Sequence, residues 1–262
     1  MKSTITYKSF NKYKEIAHFC TTRHGGVSVG NFASFNLSPF SGDNINDVEK
    51  NIALLAQIID IDKRMLVIPF QNHGSDIKII DETFIQLSDI EQKEYLYGVD
   101  ALISNTQGIC IGVTTADCVP IFIYDPILQV IAVIHAGWRG TCAGIAEKTI
   151  RKMIELFNCD ATNLQVVIGP SISPENYTVG EELIEKFTES GFPTQLIFKK
   201  TNEQIHLDLW KANTWLIENT GVPANQIEIY GKCTYTDHNN FYSARRLGIK
   251  SGRMLSGILL KK

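Results

Sequence analysis

The sequence predicts a mixed α/β (α+β) fold within one unit spanning residues 1–262. Three observations carry this. Short apolar runs rich in β-branched residues, bounded by Gly, Asp or Pro, recur along the chain and read as buried strands. Stretches with apolar residues at helical spacing are interspersed among them, without the regular alternation of a parallel βαβ array. No internal repeat, low-complexity tract or long linker divides the chain.

Residues 16–45, IAHFCTTRHGGVSVGNFASFNLSPFSGDNI, read as a strand entering a long loop rich in Gly, Ser and Asn. Within it Arg23 stands beside Gly25-Gly26, a combination that suits a bound anion as well as a solvated turn. Asp47 or Asn46 is placed to cap a helix whose buried stripe is Val48, Ile52, Leu55 and Ile59. Residues 64–70 (RMLVIPF) read as a strand, Gln71-Asn72-His73-Gly74 as a polar bend, and residues 76–80 as another strand. Residues 82–97 are polar and are expected to form a surface connection. Residues 109–113, 119–124 and 130–134 are the densest strand signals. They are interrupted by Thr115-Ala116-Asp117-Cys118 and end on His135-Ala136-Gly137-Trp138-Arg139-Gly140. A helix is expected from Thr141, with Ala146, Ile150, Met153, Ile154 and Phe157 inside and Glu147 paired to Arg151 outside. A strand over 164–168, a helix over 180–190 and a short strand over 196–198 follow. Next come a helix marked by Leu209, Ala212 and Leu216, a strand over 227–230 and a closing strand over 254–260.

At 44% apolar and 20% charged residues, the composition is that of a globular protein with a large core. A net charge of −3 and the lack of a basic tail argue against a nucleic-acid partner. Asp117, Asp125 and His135 break the best apolar runs, so no membrane span is expected. The opening MKSTITYKSFNKYK has charge but no apolar core, which is not a secretory signal. Six irregularly spaced cysteines fit a reducing, cytoplasmic setting better than a disulfide framework. Cys20, Cys110, Cys142 and Cys159 are read as small buried hydrophobes.

Chemistry is expected where apolar strands end on polar turns. His73, Cys118 and His135 each occupy such a position. Two imidazoles and a thiolate suit zinc, and three protein ligands leave a fourth position open, the mark of a catalytic site. The same residues also allow a Cys118 nucleophile with a histidine base, or three ordinary core side chains. The Gly-rich turn after His135 leads into a helix, where free N–H groups and Arg139 could receive an anion.

Taken in order, the motifs resemble the YfiH family, whose members are described as laccase-domain or polyphenol oxidase proteins, peptidoglycan editing factors and purine nucleoside phosphorylases. The resemblance runs through Thr22-Arg23-His24-Gly25-Gly26-Val27-Ser28, Ser34-Phe35-Asn36-Leu37, Gly42-Asp43 and Gln71-Asn72-His73-Gly74. It continues through the TADC and HAGWRG elements, Ile168-Gly169-Pro170, Val179-Gly180-Glu181, Cys233-Thr234 and Phe241-Tyr242-Ser243 with Arg245-Arg246. Ala244 and Leu247 depart from the family pattern on either side of Arg245-Arg246, and Asn72 departs from it beside His73 without need to disturb that ligand.

The resemblance implies a compact layered sandwich of sheets flanked by helices, and metal ligands at His73, Cys118 and His135. It implies phosphorolysis of adenosine, inosine and methylthioadenosine, with deamination of adenosine, so the partners expected are a purine nucleoside and phosphate. Zinc is expected first and copper second, because the six histidines lack the paired pattern of a multicopper centre. Arg23, Arg139 and Arg245 are the candidates for holding phosphate. Asp117 is a candidate for orienting a ligand or moving a proton, as readily as for a structural role. The alternatives are a metal or cysteine hydrolase acting on cell-wall precursors and a non-enzymatic zinc-binding module. A monomer or weak oligomer is expected.

Overall fold

The computed structural model describes residues 2–262. In chain order the strands are β1 (Thr4–Ile5), β2 (Ile16–Thr21), β3 (Leu66–Val67), β4 (Asp76–Ile79), β5 (Val99–Ser104), β6 (Cys110–Thr115) and β7 (Val119–Asp125). They continue as β8 (Val130–Ala136), β9 (Gln165–Ile168), β10 (Thr178–Val179), β11 (Phe198–Thr201), β12 (Gln204–Leu207), β13 (Ile227–Ile229) and β14 (Met254–Leu260). The helices are α1 (Ile45–Ile58), α2 (Glu82–Gln86), α3 (Asp89–Tyr95), α4 (Trp138–Cys142), α5 (Ile145–Phe157), α6 (Glu182–Glu189), α7 (Thr194–Ile197), α8 (Leu209–Glu218) and α9 (Ala244–Leu247).

Two sheets stack face to face. One has the order β1-β2-β14-β6-β3, the other β13-β9-β7-β8-β5-β4, and a small sheet β10-β12-β11 stands apart. Strand alternation sends Ile111, Val113 and Ile258 from the first sheet against Phe122, Tyr124, Ile131 and Val133 of the second, forming the core between them. The opposite face of the second sheet, with Ile121, Ile123, Ala132 and Ile134, packs on Ile150 and Met153 of α5 and Ala212 and Leu216 of α8. The outer face of the first sheet, with Phe19 and Leu255, packs on Val48, Ile52 and Leu55 of α1. The expected mixed fold of sheets flanked by helices is therefore present.

Several elements differ from expectation for local reasons. The first helix starts earlier, because Asn44 caps it by accepting from the Asn46 N–H; Asn46 and Asp47 lie inside. Of residues 64–70 only β3 pairs as a strand, after a turn at residues 63–65. Residues 82–97 are not a plain connection. Asp81 caps α2, and Ser88 with Glu91 forms a reciprocal capping box for α3. The helix expected from Thr141 begins at Trp138 and is interrupted by Gly144, whose φ of +74° separates α4 from α5. Residues 194–197 form a helical turn, and the strand there begins at Phe198. Cys142 is only half-buried, whereas Cys20, Cys110 and Cys159 are buried.

Candidate metal centre and its cleft

Pairing register brings three distant residues to one end of the second sheet. β7 and β8 form an antiparallel hairpin in which Val119 lies opposite Ala136 and Pro120 opposite His135. Cys118, just before β7, thereby sits beside His135. β5 runs antiparallel along the other side of β8, with Ala101 opposite Ile134, so Asp100 also lies next to His135. β4 pairs in parallel with β5 from Asp76 onward, which brings His73, three residues earlier, to the same end.

The ligand atoms of His73, Cys118 and His135 all lie within 4.8 Å of one another. Among the described residues this is the one group of three or more His, Cys, Asp or Glu side chains close enough to hold a metal ion. The two imidazoles meet nearly edge to face, 4.8 Å apart at 77°. His73 has a φ of 65° and Asp117 a φ of 93°, left-handed conformations that cost energy in non-glycine residues and cluster at functional sites. Gly137 explains one glycine of HAGWRG. A Cβ there would stand 3.0 Å from Cys118 Sγ and 3.3 Å from His73 Cδ2.

Asp100 underlies the centre and was not anticipated. Its carboxylate is fully buried. Oδ1 accepts from His135 Nδ1 at 2.7 Å and from the His73 N–H at 3.1 Å; Oδ2 accepts from the Gly74 N–H at 2.7 Å and the Asn72 N–H at 3.4 Å. One carboxylate therefore orients two candidate ligands and leaves His135 Nε2 free to ligate. The detectable signal is an acidic residue inside the apolar run Val99-Asp100-Ala101-Leu102-Ile103, since a buried carboxylate needs partners.

The charges couple strongly. Burial pushes the Cys118 thiol up, but the adjoining His135 and His73 outweigh it and bring the thiol down to about 6. Burial lowers His135, yet the Cys118 thiolate and the Asp100 carboxylate overcome this and raise it to about 9. Burial also acts to raise Asp100, and the hydrogen bond from His135 more than reverses it.

The centre floors a cleft of about 640 Å³ at the mouth between the two stacked sheets, a size suited to a small organic ligand. Arg139 and Arg245 line it. The Arg139 guanidinium lies 4.4 Å from the Trp138 ring centre, and that of Arg245 lies 5.2 Å from Tyr177. Arg253, unanticipated, lines it too; its Nη1 donates to Ser251 O and its Nη2 to Ile249 O, holding the loop between α9 and β14. Arg23 lies outside the cleft. Its Nε and Nη2 donate to Ala33 O, its Nη1 donates to His238 O, and its guanidinium stacks on Tyr242, so it is tied to the loop. Asp117 lines the cleft but is held by three donors: Thr234 Oγ1 at 2.6 Å, Ser243 Oγ at 3.0 Å and the Arg245 N–H at 2.7 Å. That arrangement fits a latch fixing the start of α9 rather than a group moving protons. Asn72, a departure from the family motif, accepts from the Gly74 N–H at 3.0 Å and stabilises the His73 turn.

Comparison with known proteins shows the family to which the chain is similar. The pattern of the family described as multi-copper polyphenol oxidoreductase laccase matches residues 17–261. A purine nucleoside phosphorylase of Bacteroides thetaiotaomicron is 45% identical, over 100% of this chain and 97% of the relative. Adenosine deaminase RL5, from an unknown prokaryotic organism, is 39% identical over 93% of each. The crystal structure of the Bacillus licheniformis hypothetical protein YfiH superposes with a TM-score of 0.92 at 29% identity, covering 99% of this chain and 97% of that one.

Proposed function

The chain belongs to the family described as multi-copper polyphenol oxidoreductase laccase, the YfiH family, and on that premise we propose that it is a zinc-dependent purine nucleoside phosphorylase that also deaminates adenosine. The observation that carries the reading is the convergence of His73, Cys118 and His135 on the floor of a cleft lined by arginines. The donor set fits zinc: a thiol already drawn toward its ionised form, two imidazoles, and a carboxylate orienting them. His73, Cys118 and His135 would hold a zinc ion there, and it would supply a Lewis-acid charge to the cleft.

In phosphorolysis a phosphate oxygen forms a bond to the ribose C1′ as the C1′–N9 bond breaks. The electron pair leaves on the purine, and the proton carried by monohydrogen phosphate ends on the departing base. Arg139 and Arg245 bind the phosphate, their guanidinium planes pre-oriented by Trp138 and Tyr177. Asp117 keeps Arg245 in register through its backbone N–H. Deamination, which the likeness to adenosine deaminase RL5 supports, exchanges the C6 amino group for a water oxygen and releases ammonia.

Incubation of the zinc-loaded protein with inosine or adenosine, with and without phosphate, tests the proposal. Ribose 1-phosphate and free base are expected only with phosphate, and inosine plus ammonia from adenosine in either case. No product under any condition refutes it.

A further inference from the structure

The cleft lining includes an aromatic ring that the phosphate and metal chemistry leaves unused. Phe40, in the turn between Ser38 and Ser41, lines the cleft while 53% exposed. Its orientation is nevertheless fixed. Phe70 meets it edge to face, with ring centres 4.7 Å apart at 80°, and Phe70 in turn stacks on Tyr97 at 4.9 Å and 3°. The turn beneath is tied by Asn36 Nδ2 donating to Ser41 Oγ at 2.8 Å and to Asp43 Oδ2 at 2.9 Å.

The other two aromatic side chains of the cleft, Trp138 and Tyr177, already carry cations: Arg139 and Lys186 over the first, Arg245 over the second. Among the described residues no cation lies over Phe40. Ile249, 83% exposed on the loop that Arg253 holds, adds another apolar side chain to the lining.

We propose that Phe40 is the platform on which the purine ring stacks, and hence a base-binding residue of the cleft. The inference rests on the nucleoside reading above and adds where the base lies. A nucleoside is amphipathic in the same sense as the cleft, a flat apolar ring joined to a polar sugar. With the base on Phe40, the sugar points to the metal floor and the arginines receive phosphate. The spacing between platform and floor is preset, because Phe70 and His73 belong to one tied segment. The Phe70 N–H donates to Leu96 O, the Gly98 N–H donates to Phe70 O, Gln71 pairs with Thr114, and the next three backbone N–H groups donate to Asp100. Stacking reads the face of a base and not its edge, so such a site accepts several purines.

The test measures inosine, ribose 1-phosphate and phosphate binding by calorimetry on zinc-loaded protein, with steady-state phosphorolysis in parallel. Phe40→Leu keeps apolar bulk and removes the π face. It is expected to weaken inosine binding and raise the inosine KM about 10-fold, as stacking on an aromatic ring implies. Ribose 1-phosphate affinity, the KM for phosphate and zinc content should stay within about twofold of the parent. Phe40→Trp should restore inosine binding, and its emission should be quenched by inosine more than the parent's. The inference fails if Phe40→Leu binds inosine like the parent, if it weakens ribose 1-phosphate equally, or if it changes only the sedimentation behaviour, which would assign the ring to contacts between copies. Turnover by the parent with any of these results removes the stacking role and leaves the phosphorylase reading standing. A parent that neither binds nor cleaves nucleosides removes both.

Discussion

Asp100→Asn tests how far the centre depends on a residue that touches no substrate. The carboxylate offers four acceptor sites and faces four donors: His135 Nδ1 and three consecutive backbone N–H groups from residues 72–74. An amide of the same shape has one oxygen and one NH2. If the oxygen faces His135, the NH2 opposes the Gly74 and Asn72 N–H groups, donor against donor. If the oxygen faces Gly74, the NH2 meets His135 Nδ1 and forces the imidazole to carry its proton on Nε2, the nitrogen needed for the metal. Both arrangements also leave a fully buried group unsatisfied, worth about 1–3 kcal/mol. Loss of an orienting carboxylate typically weakens a metal 10–100-fold, or about 1.4–2.8 kcal/mol. A competition titration against a chromophoric zinc chelator measures the affinity, and urea unfolding of the metal-free protein measures the intrinsic cost. Zinc affinity within twofold of the parent would refute the reasoning, because no amide placement satisfies all four donors.

Gly137→Ala places a methyl 3.0 Å from Cys118 Sγ at a residue whose φ of −74° any amino acid adopts, so the effect is purely steric. The same titration should show zinc affinity falling about 10-fold or more, with little change in the melting temperature of the metal-free protein. Asp117→Ala removes the acceptor for Thr234, Ser243 and the Arg245 N–H. Steady-state assays should show the KM for phosphate rising with zinc content unchanged, at a stability cost of about 1–3 kcal/mol. Burial holds His18 down at about 4, while its Nε2 accepts from the Tyr7 N–H at 2.9 Å. A folded value below the unfolded one means stability is present above pH 6.5 and lost as pH falls through 4. The loss is about 3 kcal/mol between pH 7 and pH 4, and denaturant titrations of His18→Gln, which accepts without titrating, should lack that share.

The strands around the centre were legible because β6, β7 and β8 are buried on both faces and bounded by charged or turn-forming residues, which leaves continuous apolar runs in the sequence. The ligands were legible as polar interruptions of those runs. β5 is buried throughout yet gives a weak signal, since Asp100 breaks its apolar pattern, and the same interruption hides the group that orients the ligands. α2 and α3 leave little periodic signal because each is short: Phe84 of α2 and Tyr95 of α3 reach the core, and the caps supply the rest of the local order. Arg23 looked like an anion ligand beside two glycines. The backbone carbonyls that hold it belong to Ala33 and His238, one of them 215 positions away, and no local pattern records such a partner. Arg253 was missed for the converse reason, as its place in the cleft comes from the pairing of β14 with β6.

The choice of metal turns on what completes the coordination shell. Two histidines and a cysteine are also the equatorial set of a blue-copper site, which adds a weak axial methionine, glutamine oxygen or carbonyl. No methionine lines this cleft. Gln71 does, but its Oε1 already accepts from the Thr114 N–H at 2.7 Å and from Thr114 Oγ1 at 2.9 Å, while its Nε2 donates back to Thr114 O. That side chain is a clamp between the His73 turn and the end of β6, and its oxygen has no lone pair to spare for an axial bond. Here His73, Cys118 and His135 themselves line about 640 Å³ of space together with arginines, room that a small molecule could enter. The multi-copper description of the family would require further histidine clusters. His18 instead accepts from Tyr7 within the core, and His206 Nδ1 pairs with Pro174 O at the small sheet. These features support the proposed reading of a site that would hold an ion of fixed valence.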